Sequence, residues 1–228
     1  MNILIAAATR MEIEMLTEEL QFVGKNRHYI KSYQKSENNI DILITGIGTV
    51  STAFRLTNAL HQKKYDQIIN IGIAGSLNPE LKIGQVVNVI TEEFADLGIE
   101  KREEFLTLFE SGFIEDNEFP FENGILRSSY IDGFERIKKV HGVTSNISHG
   151  RSASISGIKN KFGADIETME GAAVFYVCIN MGVPCCQIRA ISNYVEPRET
   201  SNWNIPLALE NLKKEVLQII NNLTVPVN

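Results

Sequence analysis

Cysteine is scarce in this 228-residue chain. The three present, Cys178, Cys185 and Cys186, cannot build a disulfide framework. Adjacent Cys185 and Cys186 also make a poor metal pair, so all three are expected as reduced thiols of the core. Histidine is equally thin. His28, His61, His141 and His149 are scattered without ligand spacing, so no metal site is expected and each reads as a surface or hydrogen-bonded histidine. Basic charge is short as well: 22 Lys and Arg face 28 Asp and Glu, a net charge of −6. A nucleic-acid binder normally carries a basic face, and that class is excluded. The acidic excess is spread along the chain and forms no tail. No apolar run approaches the roughly 20 residues that span a bilayer, so no membrane partner is expected. The apolar run at 3–8 has no basic stretch before it and soon meets Glu12 and Glu14. It reads as a buried strand, and the protein as cytoplasmic. Gly46-Ile47-Gly48 lacks the third glycine of a dinucleotide fingerprint, and no Gly-x-x-x-x-Gly-Lys-Ser/Thr loop exists, so no cofactor is expected.

What is there is ordinary globular material. Hydrophobic residues make up 43% and charged residues 22%, enough apolar surface for one domain over residues 1–228. Strand-length apolar runs recur at 2–7, 41–45, 67–71, 86–90 and 184–190, several apolar on both faces. Helical periodicity separates them at 12–22, 51–62, 170–181 and 205–223, the third ending at Gly182 before Pro184. Strands alternating with helices predict a three-layer α/β/α domain. The acidic stretch 99–136, which includes Glu103, reads as an excursion over the surface that covers a site or joins an interface.

Three groups of residues carry chemistry. Glycines punctuate the ends of predicted strands, at Gly46-Ile47-Gly48 and at Gly72-Ile73-Ala74-Gly75, where α/β proteins bring backbone close to a ligand. Plain turns explain them too. Glu12 follows the first strand, and Glu170 heads an apolar helix, where a carboxylate either caps the dipole or faces a pocket. Arg189, Ser192 and Asn193 end a buried strand, and an arginine there needs a carboxylate partner.

Five short motifs in order make the chain recognisable: Ala8-x-x-x-Glu12, Thr45-Gly46-Ile47-Gly48, Asn70-Ile71-Gly72-Ile73-Ala74-Gly75, Met169-Glu170-Gly171-Ala172 and Arg189-Ala190-Ile191-Ser192-Asn193. Over nearly its whole length the chain resembles the nucleoside phosphorylase/nucleosidase superfamily. The resemblance implies a twisted, partly barrel-like mixed central sheet flanked by helices. It implies a homo-oligomer, often a dimer, and cleavage of a purine nucleoside at the N-glycosidic bond. Bacterial phosphorylases of this kind hold phosphate with an arginine where this chain has Asn70 and a serine where it has Ile73, so the chain resembles the hydrolytic branch. Adenine-releasing members carry an aspartate in place of Asn193. An amide both donates and accepts, which suits a 6-oxopurine better than adenine.

Phe94-Ala95-Asp96-Leu97-Gly98, the run from Met169 to Tyr176, and Ile191-Ser192-Asn193-Tyr194-Val195-Glu196-Pro197-Arg198 followed by Trp203 are similar to the branch that cleaves futalosine. That substrate is a hypoxanthine nucleoside with a carboxyphenyl-bearing tail at C5′, on a route to menaquinone. The resemblance then implies roles. Glu12 is the general base for water, with Glu14 two residues late on the motif. Glu170 binds the ribose hydroxyls and Met169 packs on the sugar. Arg189 positions carboxylates and water, Ser192 and Asn193 hold the purine, and Ile73, Ala74 and Gly75 line sugar and base. Backbone groups of 147–150 are expected at the base. Phe94 and Asp96 contact substrate or shape the wall. Arg55, Arg102, Arg151 and Arg198 are candidates for the tail carboxylate, and Trp203 covers the tail or belongs to the core. The alternatives are an adenine-releasing methylthioadenosine/adenosylhomocysteine nucleosidase, a purine phosphorylase, and a non-catalytic nucleoside-binding module.

Overall fold

A computed structural model describes residues 1–27, 29–102, 104–129, 134, 136–197 and 202–223. The elements run β1 (Asn2–Ala7), α1 (Met11–Thr17), β2 (Gln21–Arg27), β3 (Ile30–Lys35), β4 (Asn38–Ile44), α2 (Thr49–Gln62), β5 (Gln67–Ser76), β6 (Val86–Phe94) and β7 (Gly98–Lys101). They continue with β8 (Glu104–Thr107), β9 (Leu126–Arg127), β10 (Lys138–Thr144), α3 (Ser152–Phe162), β11 (Ile166–Thr168), α4 (Gly171–Met181), β12 (Cys185–Tyr194) and α5 (Ile205–Asn222).

The main sheet runs β11-β10-β6-β12-β5-β1-β4-β3-β2, and β11 also pairs with β5. That last pairing closes β5, β12, β6, β10 and β11 into a ring. The sheet is therefore a small barrel continued by four further strands, with parallel and antiparallel neighbours mixed. β1 shows how sequence sets the layers. Ile3 and Ile5 face α1 and α5, whose buried residues include Leu16, Leu212 and Val216. Leu4, between them, faces α2 and α4 with Leu56 and Phe175. Strict alternation of an unbroken apolar run supplies both layers at once. Inside the ring, Val87, Val89, Val140, Ile166 and Ile191 pack together.

Several expectations need correction. Helical periodicity at 12–22 gives a helix that stops at Thr17, and Phe22 lies on β2, 55% exposed. The β2–β3 hairpin is an edge whose β2 is mostly exposed over 21–25 and whose β3 buries only Ile30 and Tyr33, one in each apolar layer, so its polar sequence hides both strands. The run 67–71 does not end before the glycines. β5 continues through Gly72 and Gly75 to Ser76 because β12 pairs with it along that length. β10, β11 and α3 carried too little apolar signal to be read. The described part of the 99–136 stretch forms the separate β7–β8 pair, the short β9 that joins β6, and a turn-rich segment whose Phe109 and Phe121 stack edge to face beside Tyr176 of α4. His28 and Glu103 lie outside the described residues.

α5 is held to the sheet by a single apolar stripe that includes Leu212, 1% exposed. Leu212→Ala removes buried volume that neighbouring side chains cannot refill. It is expected to lower unfolding free energy by about 2–5 kcal/mol in urea titration. An unchanged midpoint would mean that α5 contributes little to the fold.

Candidate active site

The C-terminal half of β5, the end of β12, the β11–α4 junction and the start of α1 meet around one cleft of about 340 Å³. Of the residues singled out from the sequence, Glu12, Ile73, Ala74, Gly75, Met169, Glu170, Ser192 and Asn193 line it. Arg189 lies beneath, 1% exposed.

Glu12 stands in the first turn of α1. Thr9 donates to its Oε2 from backbone N–H (2.9 Å) and hydroxyl (3.1 Å), and Ile73 N–H donates to Oε1 (3.2 Å). Both oxygens are held, so the carboxylate is fixed before any ligand arrives. Gly72 makes this possible. A Cβ there would collide with both Arg189 Nη1 and Glu12 Oε1, so these two groups share the space a side chain would fill. Arg189 Nη2 donates to Asn70 Oδ1 at 2.6 Å, and Asn70 Nδ2 donates to Ala6 O at 3.0 Å. Asn70 thus acts as a strut under the arginine.

Glu170 immediately precedes α4 but makes no cap to it. Its Oε1 instead accepts the N–H of Gly48 at 3.0 Å. Gly48 has φ +87, a left-handed conformation that a side chain disfavours, and this turns its N–H toward the carboxylate. Of the two readings left by the sequence, the pocket-facing one holds. Burial raises the Glu170 pKa, while the Arg189 charge and the Gly48 N–H oppose it. Ser192 Oγ lies 3.2 Å from Ala74 O and 2.7 Å from Asn193 Oδ1, and Asn193 Nδ2 donates to Tyr194 O at 2.9 Å.

Asp96 is not at the cleft. Its Oδ2 accepts from Asn146 N (2.7 Å), and Asn146 Oδ1 accepts from Thr49 N (2.9 Å), so it braces the loop that caps α2. Phe94 packs against the α2–α4 core and does not line the cleft. Trp203 lines the cleft. Arg55 donates to Ile44 O and stacks on Tyr29, away from the cleft, whereas Arg151 lines a depression adjoining the cleft at His149. Arg198 lies outside the described residues.

Sequence reasoning missed three features: the strut role of Asn70, the pairing of His149 with Glu167, and Glu92. Glu92 sits at 0% exposure within the ring. It accepts from Gln187 Nε2 (2.7 Å) and Thr144 Oγ1 (2.9 Å), on strands flanking its own. Burial lifts its pKa to about 7, against the pull of those hydrogen bonds and of Arg189. Only the contact order of the fold brings these residues together, so no local motif announces them.

The chain belongs to the phosphorylase superfamily, whose family model matches residues 2–221. Within it, the chain is 30% identical over 223 residues to a futalosine hydrolase of Streptomyces coelicolor, covering 95% of this chain and 94% of that one. It is 27% identical to a 5′-methylthioadenosine/S-adenosylhomocysteine nucleosidase of Buchnera aphidicola, covering 98% of each. The fold matches that of a solved futalosine hydrolase of Helicobacter pylori with a TM-score of 0.82, at 20% identity, over 97% of this chain and 98% of that one.

Because the Glu92 pKa is higher folded than unfolded, the folded protein retains a proton between about pH 4.5 and 7 that the unfolded chain has released. Glu92 therefore costs stability as pH rises through that window. Glu92→Gln keeps the shape without the charge. Calorimetry at about pH 5 and pH 8 should show the variant gaining on the parent at the higher pH. A gap that does not change with pH would refute the assignment.

Proposed function

We propose that the chain is a futalosine hydrolase, which breaks the N-glycosidic bond of futalosine with water and releases hypoxanthine on the futalosine route to menaquinone. The observation that carries the choice of water over phosphate is the state of Asn70 and Ile73. Asn70 spends its oxygen on Arg189 and its amide on Ala6 O, and Ile73 spends its N–H on Glu12. Neither residue supplies a cation or a hydroxyl for a phosphate, which needs charge-assisted partners. The choice of a 6-oxopurine over adenine rests on Asn193, whose amide both donates and accepts, and agrees with the name of the Streptomyces relative.

In this reading Glu170 holds the 2′- and 3′-hydroxyls and Met169 packs against the sugar. As C1′–N9 lengthens, positive charge grows on the ribose between Glu12 and Glu170. Glu12 takes a proton from water as its oxygen adds to C1′; the C1′–N9 bonding pair leaves with the purine, which gains a proton from solvent to become hypoxanthine. Arg189 keeps the carboxylates oriented, and Ser192 and Asn193 hold the departing base. The buried, unpaired Cys178, Cys185 and Cys186 agree with a cytoplasmic setting. One domain over 1–228 carries the activity, and it works as a homo-oligomer, dimer or larger. Ile47 at the cleft lip is 60% exposed, and it continues into exposed Val50 and Phe54 on α2, an apolar surface suited to a second copy.

The likeness to the Buchnera enzyme keeps adenine release from methylthioadenosine as the second reading. Chromatography of the base freed in phosphate-free buffer separates them. Hypoxanthine from futalosine is expected. Adenine from methylthioadenosine with futalosine untouched would replace the proposal, and a phosphate requirement would move it to the phosphorylases. Glu12→Gln should lower kcat by roughly 10²–10⁴-fold with the fold intact. A variant that turns over normally would remove Glu12 from the chemistry.

A further inference from the structure

Asn193 reads one edge of a bound base, and the question is what meets the other. Four carboxyl or imidazole side chains line the cleft: Glu12, His149, Glu167 and Glu170. Glu12 is bound by Thr9 and Ile73, and Glu170 by Gly48, both beside Arg189. His149 and Glu167 form a separate pair. Glu167 Oε1 accepts the backbone N–H of His149 at 3.0 Å, and Oε2 meets the ring Nδ1 at 2.5 Å. One carboxylate thus fixes both the loop and the ring, with the side chains 13% and 6% exposed.

The sheet register places this pair. Glu167 of β11 lies directly across from Gly75 of β5, and Asn193 of β12 lies across from the same Gly75 on its other side. The row Glu167–Gly75–Asn193 spans two strand spacings, about 10 Å. Its centre carries no side chain. A Cβ on Gly75 would come 2.7 Å from Val195 Cγ2 and 3.4 Å from Asn193 Nδ2. Val195 fills the space a Gly75 side chain would take, so the row is an apolar floor with an amide at one edge and an imidazole at the other, wide enough for a flat purine hydrogen-bonded at both.

An acceptor on Nδ1 keeps the proton of a neutral imidazole on that nitrogen and leaves Nε2 as an acceptor. No hydrogen bond reaches Nε2 among the described residues. A 6-oxopurine carries a hydrogen on N1, whereas adenine presents a lone pair there. We propose that His149, oriented by Glu167, is a specificity-determining residue that accepts N1–H of the leaving 6-oxopurine and repels adenine. This rests on the reading of the site given above and adds the group that checks the edge opposite Asn193.

The test measures kcat/KM for futalosine and for its 6-aminopurine counterpart with the same tail. The parent protein should prefer the 6-oxo substrate. His149→Leu should lose about ten- to a hundredfold on futalosine, the cost of leaving N1–H unpaired, and little on the 6-amino substrate. Glu167→Gln, which keeps an oxygen for the backbone N–H, should blunt the preference in the same direction if the leucine variant does not fold. An equal loss on both substrates would make His149 merely structural and overturn the proposal. A parent protein that frees base from neither substrate, or prefers the 6-amino one throughout, would instead overturn the reading of the reaction, and this inference with it.

Discussion

A guanidinium at 1% exposure sets the terms for everything around it. Burying Arg189 unpaired would cost several kcal/mol, and removing a partner from such a charge is comparably expensive. The molecule gathers oxygens near its Nη atoms, although Nε has no hydrogen-bond partner among the described residues. Asn70 Oδ1 takes Nη2, Glu12 shares the space over Gly72, and Glu170 and Glu92 feel its charge. These groups come from β5, β6, β12, the start of α1 and the residue before α4. The electrostatics of one side chain therefore draw the central strands and two helix starts to one point. Catalytic geometry and fold stability are in this respect the same problem.

The fold answers it with missing side chains as much as with present ones. Gly72 is bare where Arg189 and Glu12 meet. Gly171 is bare where a Cβ would collide with Glu92 Oε1, and so α4 can begin directly over the polar end of the ring. There Ala172 N–H donates to Thr144 Oγ1 at 2.8 Å and Gly171 N–H to Thr168 Oγ1 at 3.2 Å, so ring threonines satisfy a helix start that lacks its own cap.

How much of this the sequence disclosed depends on range. Glu12, Glu170 and the Arg189–Asn193 run were legible because each sits at an abrupt boundary between apolar and polar sequence. β1, β4, β5, β6 and β12 were legible because burial on both faces writes an unbroken apolar run. β2 and β3 were not, since this edge hairpin buries only Ile30 and Tyr33, too few to write a period, and its turn chemistry is weak. β10 and β11 were obscured by the polar residues they aim into the ring, such as Thr144 and Thr168. The His149–Glu167 pair was invisible for another reason. Its members are 18 residues apart with α3 between them, and a histidine alone carries no spacing to read.

β11 closes the ring with three residues, Ile166–Thr168, pairing with β10 on one side and β5 on the other. Glu167 is the middle one, and Met169 and Glu170 follow at once. The shortest seam of the barrel is thus also the mount for much of the cleft. A local opening that frees only these few backbone bonds would scatter Glu167, Met169 and Glu170 together while leaving the large apolar layers packed. Such a molecule would keep its helices and its compactness and lose its binding site, so inactivation would precede melting. The life of the site is governed by the weakest joint of the ring rather than by the depth of the core.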